Sequence, residues 1–138
     1  MKKLIAIDCR GVRPQSDGLG NYILSFLKEL GAYSGPLKFC LLVSPASVGR
    51  FHEFFHGPHF TVIPSRTKSM GIAQQIIVPL KVLQIRPSLY HYPVHDMPLC
   101  IPSRSVITVH DLNFIHIKDF YTNYPRLKRF YSRIIAVL

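Results

Sequence analysis

Leu4-Ile5-Ala6-Ile7-Asp8-Cys9 is a short apolar run of β type, and residues 11–20 behind it hold Pro14, Asp17, Gly18 and Gly20, the composition of a loop. From residue 21 to 30 the apolar side chains Tyr22, Ile23, Phe26, Leu27 and Leu30 recur at helical spacing, and Gly31 closes the pattern. Strand, loop and helix follow one another within the first 31 residues.

Outward from this unit the alternation repeats. Residues 37–43 read as a second strand, 46–55 as a short helix and 60–63 as a third strand, with Gly57-Pro58 and Pro64 as punctuation. A longer helix is expected over 71–84 with Ile72, Ile76, Leu80 and Leu83 on its apolar face, where Pro79 must either kink it or be absorbed at a bend. Residues 88–92 form a weaker strand pattern and 105–109 a clear one, read as an interior strand. From Pro125 onward Leu127, Phe130, Tyr131, Ile134, Ile135 and Leu138 keep three-four spacing, while Arg126, Lys128, Arg129, Ser132 and Arg133 take the other face of an amphipathic helix. Strands alternating with helices imply an α/β domain: a mostly parallel sheet covered by helices on both faces.

Composition supports one globular body. Hydrophobic residues make up 48% of 138 and charged residues 17%, which excludes a solvated tail. The formal charge of +10 favours an anionic partner, whether nucleic acid, phospholipid or a phosphate-bearing small molecule. Basic residues such as Arg10, Arg66, Lys68 and Lys81 look scattered, and only Arg126, Lys128, Arg129 and Arg133 read as a patch. That patch, on an apolar helix, predicts self-association or peripheral contact with an anionic membrane. Cys9, Cys40 and Cys100 are far apart and form no CxxC, so neither a disulfide framework nor a zinc knuckle is indicated, and a reducing cytoplasm is the simplest home. Asp8 and Arg10 interrupt the opening apolar run, so it does not read as a secretion signal. No uninterrupted apolar stretch approaches the roughly 18 residues of a spanning helix.

Four constellations could carry chemistry. Asp17-Gly18-Leu19-Gly20-Asn21-Tyr22 would let backbone amides approach an anion, or would merely shape a turn. A dinucleotide fingerprint would need a small residue where Ile23 stands and an acid near Leu42-Val43-Ser44, so no nicotinamide cofactor is expected. His52-Glu53-Phe54-Phe55-His56 matches HExxH, but Gly57-Pro58 ends the helix at once and no later Glu offers a third ligand. The expected arrangement there is Phe51, Phe54 and Phe55 inward with the histidines at the surface, and no metal. His110-Asp111 falls at the carboxyl end of a strand, where open parallel sheets bind ligands, although His110 could equally cap the strand. Leu89-Tyr90-His91-Tyr92-Pro93 places another histidine at such an end, with the tyrosines as suited to packing as to recognition.

Taken together, Ile5 to Arg10 leading to Gly18-Leu19-Gly20-Asn21-Tyr22, residues 74–83 with Pro79 inside, Leu89-Tyr90-His91-Tyr92-Pro93, and residues 106–112 occur in the order seen in family-4 glycosyltransferases, and the chain resembles their N-terminal, acceptor-side domain. The resemblance implies a Rossmann-like half of a GT-B fold, incomplete and without its donor-binding domain, and a retaining transfer from a nucleotide-sugar to a sugar or lipid-linked acceptor. It implies that Gly18 and Gly20 border the donor diphosphate and transferred sugar, and that His110 lies beside the reacting centre. Asn21, His91 and Asp111 complete the expected binding residues. The paired-glutamate motif of the donor domain has no counterpart, since Glu29 and Glu53 are the only glutamates and neither can play that part. The chain alone is therefore expected to be inactive, completed either by more polypeptide or by a separate donor-binding subunit. The competing reading is a basic RNA- or partner-binding module. An RNP-type aromatic strand, a helix-turn-helix signature and zinc-finger spacing are all missing, which makes nucleic acid the weaker partner.

Overall fold

In a computed structural model, residues 3–15, 17–68 and 71–110 are described. Their elements run β1 (Leu4–Cys9), α1 (Gly18–Gly31), β2 (Lys38–Val43), α2 (Val48–Phe54), β3 (Phe60–Pro64), α3 (Gln74–Ile85), β4 (Leu89–Tyr92) and β5 (Ser105–Ile107). A short 3-10 turn, Pro45–Ser47, leads into α2. The five strands make one parallel sheet in the order β3-β2-β1-β4-β5, so β1 lies at its centre.

Strand alternation sends side chains to two separate cores. Ile7 and Cys9 of β1 and Phe39, Leu41 and Val43 of β2 pack with Ile23 and Leu27 of α1 and Phe51 of α2. Ala6, Cys40 and Leu42 face the other way, onto Val78 and Val82 of α3 and onto Tyr90 and Tyr92. Both faces of the central strands are thereby covered, as the near-continuous apolar runs of β1 and β2 require. The architecture expected from the alternation of elements is the one the chain adopts.

Four details differ from the sequence reading. Helix α1 starts at Gly18 rather than 21, because the Asp17 side chain accepts from the Gly20 amide at 2.8 Å and caps the helix. Helix α3 buries Gln74, Val78 and Val82, while the expected apolar face, Ile72, Ile76, Leu80 and Leu83, is exposed, Ile76 to 68%. Apolar residues surround this helix, so its periodicity could not choose a face, and the polar Gln74 disguised the buried one. Pro79 is held inside α3, where it removes one backbone donor without ending the helix. Phe54, expected inward, is 62% exposed, whereas Phe51 and Phe55 are buried. Finally, among the described residues β5 pairs only with β4 and lies at the edge of the sheet with Val106 and Ile107 exposed, where its sequence suggests an interior strand.

Cys9 and Cys40 are buried and Cys100 exposed, all of them free thiols. No helix among the described residues is long and apolar enough to cross a membrane. The amphipathic segment 125–138 and Asp111 lie outside the described residues.

Candidate functional site at the carboxyl edge of the sheet

The carboxyl ends of β1, β4 and β5 carry polar side chains on both faces, and the two faces differ in kind. On the α3 face Asp8 and Arg10 form a buried ion pair, Arg10 Nη2 to Asp8 Oδ2 at 2.7 Å, with Nε also 2.9 Å from each carboxylate oxygen. The Tyr90 hydroxyl donates to Asp8 Oδ2 at 2.5 Å. Arg10 reaches on to the carbonyl of Thr67 and to Gln74 Oε1, each at 3.2 Å. Gln74 Nε2 in turn donates to the Asp96 carbonyl at 2.9 Å and to its Oδ2 at 3.1 Å, and the Tyr92 hydroxyl lies 3.0 Å from Asp96 Oδ1.

This network ties the end of β1, the loop after β3, the start of α3 and the loop after β4 into one body. Its electrostatics are those of a dry interior. Burial alone would lower the affinity of Arg10 for its proton, but the Asp8 carboxylate beside it outweighs burial and holds the guanidinium more firmly charged than in water. Burial, reinforced by Asp8, pushes the Tyr90 hydroxyl well above its ordinary range. Burial also raises the Asp96 carboxyl from 3.8 to about 6, against the opposing hydrogen bonds from Tyr92 and Gln74. Sequence reading did not pair Asp8 with Arg10, though two charges at the end of a buried strand are themselves a sign of an internal pair.

On the α1 face the polar groups are open. His91 stands beside Ile7 in the register of β4 with β1 and therefore on the side of α1. Its ring meets Phe26 edge-on with centroids 5.3 Å apart, and its Nε2 lies 3.0 Å from Thr108 Oγ1. Tyr22 of α1 brings its hydroxyl 3.5 Å from the same Thr108 Oγ1 and meets the His110 ring edge-on at 4.7 Å. His110 itself is exposed, with Nε2 2.9 Å from the Pro93 carbonyl. Burial lowers the pKa of His91, so the imidazole is neutral near physiological pH.

The two histidines singled out from the sequence thus share one cluster with Tyr22 and Thr108, which sequence reasoning had given no role in the site. The glycine segment behaves differently. Gly20 is buried, and a Cβ there would sit 3.2 Å from Asp17 Oδ1, so the absence of a side chain leaves room for the cap. Gly18 borders open space at the first turn of α1, and Asn21 is exposed. The HExxH histidines are exposed, His56 lies beyond the end of α2, and His56 Nδ1 is 2.8 Å from the Glu53 carbonyl. Among the described residues no group of three or more His, Cys, Asp or Glu could hold a metal ion.

No family model, curated protein or solved structure matches this chain. Its chemistry is read from its own geometry. Among the described residues the α1-face cluster offers two aromatic rings, two hydroxyls and two imidazoles, with hydrogen-bonding capacity and no acidic group. Such a surface suits a neutral, hydroxyl-rich ligand: rings cover the apolar face of a sugar and imidazole and hydroxyl bond its hydroxyls.

Proposed function

We propose that the chain is the acceptor-side half of a retaining two-domain glycosyltransferase, acting with a donor-binding half that grips the nucleotide-sugar. The observation that carries this reading is the convergence of Tyr22, His91, Thr108 and His110 at the carboxyl edge of a parallel sheet, where open α/β domains bind their ligands. In a retaining transfer, positive charge builds on the sugar as the glycosidic bond to the leaving diphosphate breaks. The imidazole of His110 orients a sugar hydroxyl as that charge develops, and His91 with Thr108 and Tyr22 lines the adjoining surface. Gly18 and Asn21, at the exposed start of α1, border the same edge and are assigned to the donor side. Asp111 adjoins His110 in the chain and is assigned to the acceptor.

The test is sugar transfer in the presence of a donor-binding half, supplied in one chain or as a second subunit. His110→Ala lowers turnover by roughly 100-fold, the loss expected of one positioned catalytic group, with donor affinity little changed. His52→Ala and His56→Ala leave activity near wild type. An active His110→Ala enzyme beside inactive His52→Ala and His56→Ala enzymes overturns the assignment. Salt-dependent retention of labelled RNA at physiological ionic strength, without sugar binding, replaces it with the basic nucleic-acid module.

A further inference from the structure

The cations that look scattered in sequence are not all scattered in space. Arg66, Lys68 and Lys81 line one open cavity of about 800 Å³ at the carboxyl ends of β2 and β3, on the side of α3. Among the described residues no acidic side chain lines it, and no ion pair neutralises any of these cations. The rest of its lining is largely apolar and includes Pro45, Pro64, Ile72 and Ile77. Lys81 is held on the wall by a 3.3 Å bond from Nζ to the Pro64 carbonyl. The loop that carries Arg66 and Lys68 is anchored from beneath: the Thr67 carbonyl accepts from the buried Arg10, and Thr67 is itself buried. Ser65, two residues before Thr67, keeps a buried hydroxyl without a partner among the described residues.

Like charges brought together at an apolar cleft repel one another, and the arrangement is relieved by an oxyanion. An apolar wall beside the cations selects against a bare, fully hydrated anion. We infer that this cavity binds an organic phosphate, its phosphate group held by Arg66, Lys68 and Lys81 and its apolar portion lying against Ile72 and Ile77. The cavity is separate from the Tyr22–His91–Thr108–His110 cluster, which lies on the opposite face of the sheet, and the inference stands whether or not the chain transfers sugar.

The experiment titrates hexyl phosphate into the full chain, following the amide resonances of Ile72, Ile77 and Lys81 by NMR, with neutral octyl glucoside as the uncharged counterpart. Saturable shifts at those amides with hexyl phosphate and weaker ones with octyl glucoside are expected. The double variant Lys68→Ala/Lys81→Ala weakens binding by roughly tenfold or more, as for the loss of charge-assisted bonds to a phosphate. Lys28→Ala/Lys38→Ala, which removes the same charge elsewhere, changes it by less than about twofold once salt screens the long-range field. Lys68→Ala alone, which leaves the Lys81–Pro64 contact in place, gives the same direction if the double variant does not fold. Sedimentation with phosphatidylcholine vesicles with and without phosphatidic acid separates the sources. Binding to the acidic vesicles that is lost in Lys68→Ala/Lys81→Ala assigns the phosphate to a lipid headgroup, and binding to hexyl phosphate alone assigns it to a soluble ester. Equal weakening by the two double variants, equal affinity for octyl glucoside, or no saturable shift at Ile72, Ile77 and Lys81 overturns the inference.

Discussion

Tyr90 and His91 are neighbours in β4, yet they belong to two regions of opposite character. Tyr90 points toward α3 and donates its hydroxyl to the buried Asp8–Arg10 pair. His91 points toward α1, half-buried, and shares Thr108 with the exposed edge of the domain. In the first region every charged group described is enclosed and bonded to another part of the chain, the arrangement of a frame. In the second, the hydrogen-bonding groups come from elements that meet at the surface and retain capacity for a ligand. A polar residue at the end of a strand is thus not by itself a site, and its surroundings decide whether it braces the sheet or faces outward.

The sharpest way to break this comparison is to remove a partner on each side. Arg10→Ala leaves the Asp8 carboxylate buried without its counter-charge and removes the brace to Thr67 and Gln74, and it should cost about 3–5 kcal/mol of stability in denaturant unfolding. A loss as small as that of a surface substitution would show that the network is not the frame.

The pH dependence sharpens the contrast because the two regions act with opposite signs. Between pH 3.8 and about 6 the folded chain keeps a proton on Asp96 that the unfolded chain has released, so this group lowers stability as pH rises, on the order of 3 kcal/mol in all. His91, whose pKa burial lowers from 6.5, does the reverse: below pH 6.5 the unfolded chain takes up the proton first, and stability falls as the solution becomes more acid. Unfolding free energies across this range should show the Asp96 component disappear in Asp96→Asn and the His91 component disappear in His91→Phe.

At neutral pH, His91→Phe keeps a ring against Phe26 but loses the bond to Thr108, and its cost should be about 1 kcal/mol. The smallest effect belongs to His110→Ala. Its ring is exposed, so thermal unfolding should register a change within about 0.5 kcal/mol, while sugar transfer falls as stated above. A variant that loses stability and activity together would move His110 into the frame.

Much of the fold was legible because strand and helix periodicity is local. The β1 limits agree with the apolar run, and β2, β3 and β4 fall within a residue or so of their sequence patterns. The misread elements are those whose patterns do not specify an environment. In α3 the four-residue spacing fits Ile72, Ile76 and Leu80 as well as Gln74, Val78 and Val82. In β5 a run of β-branched residues looks interior wherever it lies, although among the described residues it closes the sheet.

By itself, then, the sequence determined the alternation of elements, the parallel sheet it entails, and the placement of His91 near the end of one strand and His110 after another, because each depends on residues close along the chain. Tertiary structure decided which side of the sheet each polar residue serves. Only pairing across the sheet brings Tyr90 to Asp8, 82 residues away, and Tyr22 to Thr108, 86 residues away. The same folding gathers Arg66, Lys68 and Lys81 at one cavity. Burial then fixes the charge of what it encloses, and no local spacing encodes that enclosure.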